Sequence, residues 1–364
     1  MPAPAEPTLA RRAVLLGVAG TAALGAGGCG IRLEDDAPDL PLLPARDPIP
    51  AEPALLTLTS NTGALAWAAR STPGALAARL AVVHDEQLAV LRDALLSRGV
   101  PAKEVDRASA VPGLSPGPSG TSTATPSPSS SPSTPSTSSP STSSTPSTAA
   151  PSGTATPRPT GVTPAQLAAL EERPLAALEE RPLTAPGFLS GAAAELRPTL
   201  VALLAQRVAA VTLLRGRPPA APGDLGTWTR PAALVPVVTA GRETAYLMEV
   251  AAAQGTGAAR SRALRAVGTV TATVDQQVVT AGDAAPLPGL GVPLPFPVVG
   301  ASAAARLERY AVDRLRGAYG ASLASLTDPD ALPGLLSVPC WLGEVEVLCR
   351  RAGLELSAFP GLAG

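Results

Sequence analysis

The chain is short of aromatic rings, of histidine and of net charge. Of 364 residues only 2% are aromatic, one is histidine, and 28 basic side chains face 29 acidic ones for a net charge of −1. With no basic excess, no lysine-rich tract and no aromatic platform, nucleic-acid binding has no electrostatic footprint. Any Ser-His-Asp arrangement would have to use His84, and no nucleophile elbow accompanies it. Gly113-Leu114-Ser115-Pro116-Gly117 matches G-x-S-x-G by letters but stands in a tract that favours neither strand nor helix. The G-x-G-x-x-G match at Gly25–Gly30 belongs to the apolar N-terminus, with no strand before it. Three cysteines are too few for a disulfide framework. Cys340 and Cys349 would lie roughly 13 Å apart on opposite sides of one straight helix, too far to pair. No catalytic, cofactor-binding or metal-ligating set can be named, so the expectation is a protein that is not an enzyme.

What the chain does have begins at its N-terminus. Arg11 and Arg12 precede the uncharged stretch Ala13–Ala26, and then come Gly27, Gly28 and Cys29. This is the order of a secretory signal: a basic region, an apolar region and small residues at a cleavage zone. The apolar run falls short of the roughly 20 residues a membrane span needs. Ala10-Arg11-Arg12-Ala13-Val14-Leu15 looks like a twin-arginine signal, although an ordinary secretory signal with adjacent arginines carries the same letters. Ala26-Gly27-Gly28-Cys29 resembles a bacterial lipobox, with Ala26 where such boxes usually carry Leu. On this reading residues 1–28 are the export signal and Cys29 takes the lipid. The protein is then expected on the outer face of the cell membrane, held by two or three acyl chains.

Residues 29–53 carry Pro38, Pro41, Pro44, Pro48, Pro50 and Pro53, a spacing that reads as an extended tether. Helical patterning then starts near Ala54 and runs to about Arg98, and it resumes at Pro164, within a first helical domain over 54–215. A break at Ser71-Thr72-Pro73 makes Thr72 a candidate cap and Pro73 a first-turn residue of the next helix. That helix carries Leu76, Leu80, Val83, Leu88, Leu91 and Leu95 on one face at 100° per residue. His84 lies within about 40° of this row and is expected to be buried and hydrogen-bonded. Gln87 shares the face and could pair with a neighbouring helix, while Asp85 and Glu86 point away. Ala108–Pro157 holds no charged residue and is nearly all Ser, Thr, Pro, Gly and Ala, so 108–162 reads as a disordered linker, either O-glycosylated or a bare spacer. Leu167–Pro174 is repeated at once as Leu175–Pro182, and a helix is expected over Phe188–Leu214, bent at Pro198. This first body reads as four helices with the linker at their middle connection.

A second break at Pro218–Gly223 opens 230–364, where helices are expected over Pro231–Gln254, Gly257–Ala281, Ser302–Leu326 and Asp330–Ala352. The third has an apolar row at Leu307, Ala311, Leu315, Tyr319 and Leu323, and Arg306, Arg309, Asp313 and Arg316 on its other face. Cys349 continues the apolar row Leu335, Val338, Leu342 and Val345, which predicts burial. Between the second and third helices Leu287–Pro297 reads as a long extended crossover.

Pro293-Leu294-Pro295-Phe296-Pro297, the Ala/Arg-rich helix with Tyr319, and Ala358-Phe359-Pro360-Gly361-Leu362 occur in that order. Over about residues 232–362 the chain resembles a group of uncharacterised exported proteins of high-GC bacteria, assigned to the ferritin-like fold as a domain of unknown function. The resemblance implies a four-helix bundle with one long crossover. It brings no metal site. Where those proteins often carry a Glu-His pair ahead of the tyrosine matched by Tyr246, this chain has Gly241 and Arg242.

The fold expected is all-α: a ferritin-like four-helix bundle at the C-terminus, preceded by a second helical region interrupted by the Ser/Thr/Pro insertion. The function expected is a membrane-anchored cell-envelope lipoprotein in a non-catalytic structural or protein-interaction role. Its partners would be the membrane, through the lipid, and an envelope protein, with no nucleic acid. One alternative is a metal-binding or redox protein using carboxylates such as Glu243, Glu249, Glu344 and Glu346. A further alternative is a small-ligand binder.

Overall fold

In a computed structural model, residues 46–110, 161–179, 188–219, 228–289, 291–328 and 337–362 are described. Ten α-helices are present among them: α1 (Glu52–Ser71), α2 (Ala75–Leu96), α3 (Ala102–Ser109), α4 (Pro164–Glu179), α5 (Phe188–Gly191), α6 (Arg197–Arg215), α7 (Val235–Gln254), α8 (Gly257–Ala281), α9 (Gly300–Leu326) and α10 (Ser337–Arg351). No strand occurs among the described residues, so the fold is all-α. Arg11, Arg12 and Cys29 lie outside them, as do most of the Pro-rich tether and of the Ser/Thr/Pro tract.

Helices form where apolar periodicity demands them and stop where the backbone forces it. The row Leu307, Ala311, Leu315, Tyr319 and Leu323 is buried along α9, whereas Arg306, Arg309 and Asp313 are exposed and Arg316 is half-buried. Each such leucine, fully buried, contributes about 1.5–3 kcal/mol of transfer free energy. α6 ends at Gly216, whose φ of 76° donates its N–H to Thr212 O and turns the chain away. Pro198 sits in the first turn of α6, where its missing N–H has no intrahelical partner to lose. The expected bend at Pro198 is therefore a helix start, and α5 is a separate short turn.

Other boundaries move for similar reasons. Thr72 does not cap α2; it is the C-cap of α1, and its hydroxyl donates back to Ala68 O at 2.8 Å. α2 instead starts after Gly74, and Pro73 stays outside it. The tether gives up Glu52 and Pro53 to the first turn of α1, and the Ser/Thr/Pro tract gives up Ala108 and Ser109 to α3.

Packing follows two groups of helices. α1 lies against α2 and α4, and α4 against α6; α7 lies against α8 and α9, and α9 against α10. The sequence places a break at 216–229 and a separate body on each side of it. In the structure α6 also packs along α10, and Leu200–Ala205 of α6 share one apolar core with Val338, Leu342 and Val345 of α10. Gly343 permits this contact, since a Cβ there would stand 2.7 Å from Val208 Cβ and 2.8 Å from Ala205 O. Pro48–Gly364 consequently makes one compact unit, while Met1–Asp47 is a second, of which only Arg46 and Asp47 are described. With Ala194–Leu196, α6 is the one helix among the described residues long and apolar enough to cross a membrane, but 78% of that stretch is buried inside the protein, as in a core helix.

Candidate functional site

Two places gather polar side chains inside the helices. The first lies among α1, α2, α4 and α6. His84, Glu171 and Arg207 are each 0% exposed, and so are Gln87, Gln206 and Thr62. His84 Nε2 lies 2.7 Å from Glu171 Oε1, and Arg207 Nη1 donates to Glu171 Oε2 at 3.1 Å. Arg207 Nη2 donates to Thr62 Oγ1 at 2.8 Å, and the Thr62 hydroxyl in turn donates a hydrogen bond to Leu58 O at 2.8 Å. His84 Nδ1 faces Gln87 Oε1 at 3.2 Å. Gln87 Nε2 donates to Gln206 Oε1 at 3.1 Å and to Ala358 O at 2.8 Å.

Both donors of the Gln87 amide group point at acceptors, so its oxygen is the atom turned to His84. The ring therefore meets an oxygen on each side, Gln87 Oε1 at Nδ1 and Glu171 Oε1 at Nε2. Burial pushes the Glu171 carboxyl upward, but the charges and hydrogen bonds of His84 and Arg207 more than reverse this, so it ends below the usual carboxylate range. Burial lowers the Arg207 guanidinium, and Glu171 offsets part of that.

Four helices are tied by this network, α1 and α2 from before the Ser/Thr/Pro tract and α4 and α6 from after it. The expectation for His84 and Gln87 holds: His84 is buried and hydrogen-bonded, and Gln87 reaches α6. Glu171 and Arg207 are the members that sequence reasoning misses. Glu171 lies in the repeated Leu-Glu-Glu-Arg segment, where nothing local marks it for burial. Arg207 had a signal, since Gln206-Arg207 interrupts the apolar run from Leu200 to Val211. Chemically the cluster is closed: its histidine is sealed, its carboxylate is occupied on both oxygens, and its one hydroxyl is committed to a carbonyl.

The second place is a narrow cleft among α7–α10, with about 260 Å³ of empty space counted out to its open mouth. Val237, Val270, Val274 and Leu315 give it apolar walls, and Thr273, Gln277, Tyr319 and Glu344 are its polar lining. Gln277 Nε2 donates to the Tyr319 hydroxyl, and Thr273 Oγ1 donates to Glu344 Oε2 at 2.8 Å. Burial pushes the Tyr319 phenol up, and likewise the Glu344 carboxyl, which the Thr273 hydroxyl offsets in part. At the position where the resemblance would put a glutamate, Gly241 has no room for a side chain. A Cβ there would stand 2.4 Å from Val274 Cγ2, because α7 and α8 close on each other at this point.

The carboxylates of the metal-binding alternative go to separate places. Glu243 pairs with Arg314 at 2.5 Å and Glu249 is exposed. Glu344 faces the cleft. Glu346 is buried, accepts the Ser357 N–H at 2.6 Å and has Arg316 Nη1 at 3.4 Å. Burial pushes its carboxyl up, and these two partners offset that in part. No group of three or more His, Cys, Asp or Glu side chains fit to hold a metal ion occurs among the described residues. Cys349 is buried with its thiol toward Val312 O at 3.6 Å, and burial pushes that thiol up; no disulfide joins it to Cys340.

Compared with known proteins, the chain matches no family model, no curated protein and no solved structure.

Proposed function

We propose that this chain is an exported lipoprotein anchored through Cys29 to the outer face of the cell membrane, where its helical body has a structural or protein-interaction role. The observation that carries the reading is the order Arg11-Arg12, uncharged Ala13–Ala26, then Gly27-Gly28-Cys29. The sealed His84–Glu171–Arg207 cluster supports the non-catalytic half, because no substrate could reach it without unpacking four helices. Four helices, α7–α10, joined by a long crossover between α8 and α9, support a ferritin-like arrangement of the C-terminal part. The scattered carboxylates give a metal-binding or redox version of that arrangement less support.

The experiment is intact mass of the membrane-extracted protein beside a Cys29→Ala variant. The reading expects a native chain that starts at Cys29 and carries acyl mass, and a variant that is shed or unprocessed. A native chain with another N-terminus and no lipid would overturn the anchor.

A further inference from the structure

α8 and α9 begin at the same end of the C-terminal helices. α8 follows α7 after only Gly255 and Thr256, so it starts where α7 stops. α9 runs antiparallel to α7: Glu243 pairs with Arg314, the Thr244 hydroxyl donates to Ala311 O, and Leu247 and Ala251 share a small core with Ala304 and Leu307. The start of α9 therefore lies beside the end of α7. Arg262 of α8 closes on Glu308 of α9 through two hydrogen bonds of 3.0 Å, which draws the two helix starts together.

The charge at this end is one-sided. Arg260 and Arg265 of α8, and Arg306 and Arg309 of α9, are exposed, and none of them pairs with an acidic side chain among the described residues. All four lie within about 14 Å of the start of their helix. α8 has no acidic residue from Gly257 to Val274, and α9 has one, Glu308, from Gly300 to Val312. Both oxygens of Glu308 are committed to Arg262, which leaves Glu249 of α7 as the other acid nearby. Neither helix start has a side-chain cap, so the open N–H groups of two first turns add their own positive ends.

Apolar side chains stand among these arginines. Val299, just before α9, is 82% exposed, and Leu264 of α8 is 50% exposed. Phe296 of the crossover meets the exposed Tyr310 edge to face at 6.3 Å, and the Arg306 guanidinium lies over the Phe296 ring at 3.8 Å.

We propose that this end of α7–α9 is a second membrane contact, a surface that rests on acidic lipid headgroups while Cys29 holds the chain nearby. The proposal rests on the reading of Cys29 as an anchor.

The chemistry on both sides matches. Guanidinium groups pair with lipid phosphates bidentately, and the zone just beneath the phosphates accepts Val, Leu and the aromatic rings to the depth of a side chain. A dissolved anion would satisfy the arginines but leave the apolar side chains in water. Each arginine near an acidic surface strengthens the contact only modestly, so four of them make a weak site for a free protein. An anchored chain is already concentrated at the surface, and a weak site suffices for it.

The test returns the native, membrane-extracted chain to vesicles of phosphatidylcholine alone and of phosphatidylcholine mixed with phosphatidylglycerol. Backbone hydrogen exchange is read at the exposed first turns of α8 and α9. The expected result is slower exchange there on the acidic vesicles than on the neutral ones, with the difference shrinking as salt is added. In the double variant Arg260→Gln, Arg306→Gln the docking equilibrium read from that slowing should weaken about thirtyfold, at about 1 kcal/mol for each charge. Both side chains are exposed, so the fold is not at risk. Equal exchange on the two kinds of vesicle, undiminished slowing in the double variant, or the same slowing produced by dissolved inorganic phosphate without vesicles would overturn the contact. The anchor is read separately, by whether the chain stays on neutral vesicles: a chain that leaves them yet docks on acidic ones overturns the anchor and leaves this surface standing.

Discussion

The sealed cluster and the cleft hold their carboxyl groups in opposite ways. Among α1, α2, α4 and α6 the Glu171–Arg207 ion pair is enclosed, with Glu171 bonded on both oxygens by His84 and Arg207 and no route to solvent. In the cleft among α7–α10 the lining is nearly neutral: a phenol and a carboxyl that burial pushes toward their protonated forms, beside an amide and a hydroxyl. A buried charge survives only with partners, and a buried group without an opposite charge gives up its own. The cluster is therefore brittle to the loss of one member, and the cleft is tolerant.

The largest effect expected follows from that brittleness. Glu171→Met leaves the Arg207 guanidinium buried without its counter-ion and His84 Nε2 without its partner, and should lower unfolding free energy by about 3–5 kcal/mol. Urea denaturation measures it, and a loss under about 1 kcal/mol would erase the contrast. Next comes the chain beyond α10: Gly320→Ala forces Gly361 away from α9 and should lose about 1–3 kcal/mol by the same measurement. In the cleft, Glu344→Gln keeps the shape of a carboxyl already inclined to hold its proton, and should change stability by less than about 1 kcal/mol near neutral pH. Smallest of all, Arg70→Ala removes an exposed ion pair with Asp85 and should stay within about 0.5 kcal/mol.

Acid should separate the two regions by sign. The Glu171 carboxyl is lowered on folding, so its stabilisation is present above the ordinary carboxylate value and is lost as pH falls through the lowered one. Glu344 is raised on folding, so its favourable contribution is complete below the ordinary value and disappears as pH rises through the raised one. Unfolding free energy measured from acid to neutral pH should therefore fall less steeply on acidification in Glu171→Met than in the unaltered chain. In Glu344→Gln it should fall more steeply. Equal slopes in all three would contradict the assignment.

Much of the architecture was legible in residue spacing. The row around Leu80 and Leu91 put His84 and Gln87 on a buried face, and the row around Leu315 placed Tyr319. α8 begins and ends where its pattern does. What spacing could not supply is which helix lies opposite. Glu171 is 87 residues from the histidine it bonds, and nothing local separates it from the neighbouring Glu172. The joining of α6 to α10 was hidden for the same reason, because a long proline-rich break between them reads as a domain boundary while Gly343 quietly permits contact. α3 escaped because eight residues hold too few apolar repeats to show a period. The export signal and Cys29 rest on sequence alone.

The most direct test of the central contrast compares Glu171→Met with the triple change His84→Leu, Glu171→Met and Arg207→Met. If the three side chains are held in the core only as one another's partners, the single change should lose about 3–5 kcal/mol and the triple change should recover most of that loss. A triple variant as unstable as the single one, or less stable still, would contradict the account and show that the cluster contributes more than its own mutual satisfaction.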